Sequence, residues 1–128
     1  MASDERGEVL VVDDDADMRE ALRYLIEANG HSVITAGNGE EALEMLRRGL
    51  RPCVILLDLM MPVKDGIQFR VEQRQNAAFA DIPVVLLSGH YNPQHYAALL
   101  GAVAHLQKPI LDLNQLLSIV HAHCKQPS

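Results

Sequence analysis

Cys53-Val54-Ile55-Leu56-Leu57-Asp58 is apolar until its last residue, and Leu59-Met60-Met61-Pro62-Val63-Lys64-Asp65-Gly66 follows it as a loop. A short apolar run rich in branched side chains and closed by turn residues reads as a strand buried on both faces, the kind found in parallel sheets. An acid has no place in such a core, so Asp58 marks the point where the strand leaves it. After the loop, a helix-period segment runs to about Ala78.

The same alternation extends in both directions. Upstream, residues 8–13 (Glu-Val-Leu-Val-Val-Asp) form a first strand. A helix follows with Ala21, Leu22, Leu25 and Ile26 on one face, stopped by Asn29-Gly30, a left-handed C-cap signal. Ser32–Ala36 is a second strand, and Asn38-Gly39 opens a helix with Ala42, Met45 and Leu46 inward. Downstream, Pro83–Ser88 is a fourth strand, Asn92–Leu100 a weakly marked helix and Val103–Leu106 a short fifth strand. Leu113, Leu116, Leu117 and Val120 then give an amphipathic last helix.

Five β-α units imply a parallel sheet with helices on both faces. Ligands of such sheets sit outside the carboxyl ends of the strands. The polar residues follow that rule. Asp13 and Asp14 end the first strand, Asp58 the third and Ser88 the fourth, while Lys108 follows the fifth. Four strands deliver reactive groups to one rim.

Composition sets the frame. The 128 residues suit one domain, with 1–7 a flexible N-terminus, 8–124 the folded unit and 125–128 a tail or linker start. The formal charge of −6 argues against direct nucleic-acid binding, which needs clustered basic residues. Cys53 and Cys124 have no partner-like spacing, and Cys53 reads as a small core residue, so no disulfide is expected. Sparse cysteines, a polar N-terminus and the lack of a run approaching ~18 apolar residues point to a soluble, cytoplasmic protein.

Three carboxylates within ~5 Å would repel by roughly 3 kcal/mol per pair at an effective dielectric near 20. Lys108 supplies one compensating charge and a hard divalent cation the rest. Mg²⁺ suits, because it takes one or two carboxylates and leaves positions for phosphate oxygens. With a hydroxyl at Ser88, these are the ingredients of phosphoryl transfer, in which a carboxylate can become the acceptor.

Val11-Val12-Asp13-Asp14-Asp15, Asp58-Leu-Met-Met-Pro62 with Asp65-Gly66, Ser88-Gly89 and Lys108-Pro109 resemble, in order and spacing, the signatures of response-regulator receiver domains of two-component signalling. The resemblance runs from about Glu8 to Cys124. It implies a flavodoxin-like, doubly wound sheet of order 2-1-3-4-5. Asp58 would be the phosphoacceptor, and Asp13, Asp14, Asp58 and the Met60 carbonyl the Mg²⁺ ligands, with Asp14 the more direct of the acidic pair. Ser88 and Lys108 would hold the phosphoryl group, and Pro109 the turn after Lys108, usually cis in the family. His105 stands where the family usually has Tyr or Phe, the ring coupled to the hydroxyl switch. Met60 and His90 occupy positions that influence hydrolysis rate. The implied donor is a histidine kinase or histidine phosphotransfer protein. The output face lies on the fourth helix, fifth strand and last helix, for an effector or a phosphorylation-linked homodimer. Beyond self-catalysed phosphorylation and dephosphorylation, no enzyme activity is implied.

Other readings fit less well. Asp15 is read as a helix N-terminal acid. A calcium loop starting at Asp13 would need Gly and Glu where Met18 and Tyr24 stand. A hydrolase working through an aspartyl phosphate would want an acid at Met60. A nucleotide fold would want a Gly-rich loop after the first strand, the opposite of Asp-Asp-Asp-Ala-Asp. An unphosphorylated pseudo-receiver would usually lack an acid or the lysine, and all are present. His121 and His123 point to different helix faces, and His31 and His95 are expected to face solvent.

Overall fold

The computed structural model describes residues 7–89 and 93–124. Ten elements alternate: β1 (Glu8–Val12), α1 (Ala16–Ala28), β2 (Ser32–Ala36), α2 (Gly39–Arg47), β3 (Val54–Asp58), α3 (Gly66–Arg74), β4 (Val84–Ser88), α4 (Pro93–Leu100), β5 (Ala104–Gln107) and α5 (Leu113–His123). The strands are parallel, in the order β2-β1-β3-β4-β5. The expected fold class is therefore the observed one. The flexible N-terminus, the tail, His90 and the proposed helix start at Asn92 lie outside the described residues.

The three central strands are apolar for a physical reason. Val9–Val12, Val54–Leu57 and Val84–Leu87 have no solvent exposure, because helices cover both faces of the sheet. Alternate residues serve opposite faces. Leu10, Val12, Ile55, Leu57, Val84 and Leu86 pack with residues of α2, α3 and α4. Val9, Val11, Val54, Leu56, Val85 and Leu87 pack with those of α1 and α5. Burying each such side chain contributes roughly 1.5–3 kcal/mol. Among the described residues, no helix is long and apolar enough to cross a membrane.

Helix starts are set by acids and amides. Asp15 caps α1 by accepting from the amides of Asp17 and Met18, which bears out its reading as a helix-terminal acid. Asn38 caps α2, Asp65 forms a capping box with Gln68 on α3, and Asp112 caps α5. Gly30 takes the left-handed conformation after α1, with φ 96°.

Several expectations need correction. Ala21 and Leu113 are exposed, because α1 and the turn before α5 leave an apolar cleft of about 530 Å³ between them. Helix α3 stops four residues short of Ala78. There the Asn76 side chain accepts from the Ala78 amide, and the chain turns to bring Phe79 and Ile82 into the core. His31 is buried, not solvent-facing. Its Nε2 lies 2.7 Å from His121 Nδ1, so one ring donates and the other accepts.

The largest correction concerns the cysteines. Cys53 and Cys124 form a disulfide, with Cα atoms 5.2 Å apart and 71 positions apart in sequence. Cys53 immediately precedes β3, and Cys124 is the C-cap residue of α5, which packs in the same buried cluster as the start of β3. Linear spacing carries no trace of that meeting.

Two buried polar residues organise the other face. Gln73 donates to the carbonyls of Phe79 (3.0 Å) and Ile82 (3.2 Å) and accepts from Arg70. The Arg70 guanidinium also donates to the carbonyls of Leu100 (2.9 Å) and Gly101 (3.1 Å), satisfying the C-terminal end of α4.

Candidate functional site

The site lies where the strand order reverses. β1 is flanked by β2 and β3, and the exits of β1 and β3 open the crevice expected to hold a ligand. At the end of β1 the Asp13 amide donates to the Ala36 carbonyl (3.1 Å), carrying the ladder one residue past the strand. The Asp13 side chain is thereby fixed in the interior. Its Oδ1 accepts from the Asp15 amide (3.0 Å), and its backbone oxygen accepts from Arg19 Nη1 (2.7 Å).

At the end of β3, Asp58 is also buried, and its Oδ1 accepts from the Met60 amide (3.3 Å). Lys108 enters from beyond β5, with its amide donating to the Ser88 carbonyl (2.9 Å). Its ammonium stands 2.8 Å from Asp13 Oδ2 and 3.3 Å from Asp58 Oδ2. Asp14 is exposed beside them. One carboxylate oxygen from each of Asp13, Asp14 and Asp58 lies within 4.8 Å of the others. Four of the predicted residues therefore converge.

Ser88 is fully buried at the end of β4. His105 is half-buried and registers with Leu86, on the strand beside β4. Met60 is 61% exposed at the lip of the site. The Lys108-Pro109 peptide is cis, as the resemblance implied.

Charge imbalance governs the chemistry. Among the described residues, Asp13, Asp14 and Asp58 are offset by one ion-paired cation, Lys108. Burial first, and then the charge of Asp13, push the Asp58 carboxyl up to about 6, against the opposing pull of Lys108 and the Met60 amide. Burial works to lower the Lys108 ammonium, but its contact with Asp13 and the charges of Asp58 and Asp13 outweigh it, so the group is held above its ordinary range. Asp13 Oδ2 is buried, with the Lys108 ammonium 2.8 Å away as its partner. Three converging carboxylate oxygens, offset by one ammonium, fit a divalent cation of the Mg²⁺ type.

The raised Asp58 carboxyl gives a pH prediction. Its folded value lies above the unfolded 3.8, so the native state holds this proton more tightly. Its ionisation therefore destabilises the metal-free fold as pH rises from about 4 through 6. Asp58→Asn is expected to be more stable than the parent by on the order of 2 kcal/mol at pH 8, the two converging near pH 4. Denaturant unfolding of both proteins in chelator at the two pH values checks this. Divalent-ion affinity should fall below pH 6 as protons compete.

A residue that sequence reasoning quoted without a role is Gly66. A Cβ there would lie 2.6 Å from the Asp58 carbonyl oxygen and 2.9 Å from Leu59 Cα. Its amide donates to the Leu59 carbonyl (3.0 Å). Only glycine lets α3 begin against the exit of β3. Arg19 was missed altogether, since its partner is a backbone atom.

A five-stranded parallel sheet with an acidic rim and an opposed lysine defines a receiver-type α/β protein. The family model for the response regulator receiver domain matches residues 9–121, and the chain belongs to that family. Response regulator MprA of Mycobacterium leprae is 39% identical over 116 residues, which are 89% of this chain and 49% of that protein. An uncharacterized 14.6 kDa protein of Leptolyngbya boryana is 34% identical, covering 91% of this chain and 89% of its own length. The chain spans about half the length of MprA. A response regulator receiver protein from Pseudomonas putida has a TM-score of 0.84 at 31% identity, covering 95% and 99% of the two chains. Chemotaxis protein CheY4 of Vibrio cholerae gives 0.80 at 28% identity, covering 91% and 98%.

Proposed function

We propose that this chain is a phospho-accepting switch. Asp58 takes a phosphoryl group from a phosphohistidine of a histidine kinase or histidine phosphotransfer protein. The phosphorus–nitrogen bond breaks with its electron pair on the donor imidazole, and a phosphorus–oxygen bond forms to an Asp58 carboxylate oxygen. The carrying observation is the convergence of Asp58, Asp13 and Lys108 at the switch point of the sheet.

Each residue has a task. Asp13 and Asp14, with Asp58 and the Met60 carbonyl, would hold Mg²⁺, which when bound supplies charge neutralisation for the transferred oxygens. Lys108 orients and neutralises the phosphoryl group, and the Ser88 hydroxyl turns toward it. His105, on the neighbouring strand, relays that movement. Met60 and His90 tune the lifetime by shaping access for water. The readout is a changed partner surface on α4, β5 and α5, presented to an effector or to a second copy of the chain. The working unit is 8–124 and the compartment is the cytoplasm. Apart from forming and hydrolysing its own phosphoryl bond, the protein turns over no substrate.

The test is intact mass after incubation with Mg²⁺ and acetyl phosphate. One added phosphoryl group is expected, lost in Asp58→Asn and in a chelated control. If no mass is gained and beryllofluoride, a phosphoryl mimic, also fails to bind, the switch reading falls.

A further inference from the structure

We propose that Cys53 and Cys124 are a reversible thiol–disulfide couple that fastens or frees the C-terminal end of α5. The proposal uses no residue of the acidic rim and stands whether or not Asp58 is phosphorylated.

The pair is built for both states. Its Cα separation of 5.2 Å lies within the range that a disulfide spans without backbone movement. The surroundings are apolar on both sides: Val9, Val54, Leu116 and Val120 belong to the same buried cluster as the two cysteines. That is an ordinary environment for a small thiol. A reduced Cys53 also has its hydrogen bond waiting. Its Sγ lies 3.2 Å from the Glu8 carbonyl oxygen, which already accepts from the Cys53 amide at 2.9 Å. Opening the bond leaves no unsatisfied group at Cys53.

The fold does not depend on the bond. Both faces of the sheet carry continuous apolar cores, and a chain of this size needs no covalent staple. A second tie, the His31–His121 contact at 2.7 Å, holds α5 one turn before Cys124. Reduction would therefore loosen only the segment beyond that contact. Cys124 is the C-cap residue of α5, with its amide bonded to the Val120 carbonyl at 2.8 Å. Helix ends open locally at little cost, which gives a redox partner access to a sulfur that is buried on average.

The chemistry balances with a small-molecule disulfide of the glutathione type as oxidant. The Cys124 thiolate attacks it, forming a mixed disulfide and releasing one small thiol. The Cys53 thiolate then displaces the second, closing Cys53–Cys124. Two electrons and two protons pass from the protein to the small disulfide, and excess small thiol reverses both steps.

The experiment equilibrates the full chain in buffers of graded reduced and oxidised glutathione. Free thiols are then trapped with N-ethylmaleimide for intact mass, and amide deuterium exchange is followed in parallel. One transition is expected between two labels and none. In the reduced protein, exchange should be about tenfold faster or more at the end of α5, with the central strands unchanged. Cys53→Ala and Cys124→Ala should each show the fast α5 pattern at every ratio. The proposal is overturned by a bond that resists excess thiol in the folded protein, or by two free thiols at every ratio. Accumulation of a glutathione adduct, or opening without altered exchange in α5, overturns it equally.

Discussion

Gly66→Ala should lower stability by about 2–3 kcal/mol, a fall of roughly 10 °C in the midpoint of thermal unfolding. The three atoms that the new methyl would meet, the Asp58 carbonyl oxygen and carbon and Leu59 Cα, all belong to the backbone. No flexible side chain can swing aside, so either α3 retreats or the exit of β3 bends. The capping box of Asp65 and Gln68 resists the first. The second displaces Asp58, so divalent-ion affinity should fall together with stability. Gly89→Ala is the matched control. It sits just beyond β4, and a Cβ there meets no described residue within 4 Å. A change within about 0.5 kcal/mol is expected for it. Equal losses in the two variants would show that helix or loop propensity, not the clash, sets the cost.

Lys108→Met should have an effect of similar size, with a different signature. The ammonium is the cation that touches both Asp13 and Asp58. Methionine keeps most of the stem and removes the charge, leaving two buried carboxylates unopposed. Removing one partner of a buried pair costs roughly 3–5 kcal/mol. Part of that cost is relieved because Asp58, already raised to about 6, rises further and takes up a proton. A loss of about 3 kcal/mol is expected at pH 8 in chelator, shrinking toward pH 5. Mg²⁺ should restore part of it at pH 8 by taking the place of the lost charge. A loss that is the same at both pH values would assign the lysine a packing role only.

Much of the fold was legible because it rests on local rules. Strands buried on both faces must be apolar, so Val9–Val12, Val54–Leu57 and Val84–Leu87 announced themselves. The rim residues were legible for the converse reason, since a carboxylate or lysine at the end of an apolar run has nowhere to go but the sheet's edge. What escaped depends on distant contacts. Cys53 and Cys124 looked unrelated because their pairing depends on α5 packing against the start of β3. His31 looked solvent-facing because its partner, His121, is 90 residues away. Ala21 matched the inward stripe of α1 by periodicity, yet it faces the cleft that the turn before α5 leaves open. Arg70 and Gln73 are polar residues of a short helix, and nothing local says that they are buried.

Arg70 carries a mechanical consequence. Its guanidinium clasps the last carbonyls of α4 from α3, and Gln73 braces it from behind. That end of α4 is a bearing. Any reorientation of the helix that keeps this clasp must hold its C-terminal end in place and move the end that follows β4. An Arg70→Met protein would lose that clasp and leave the Leu100 and Gly101 carbonyls without those donors.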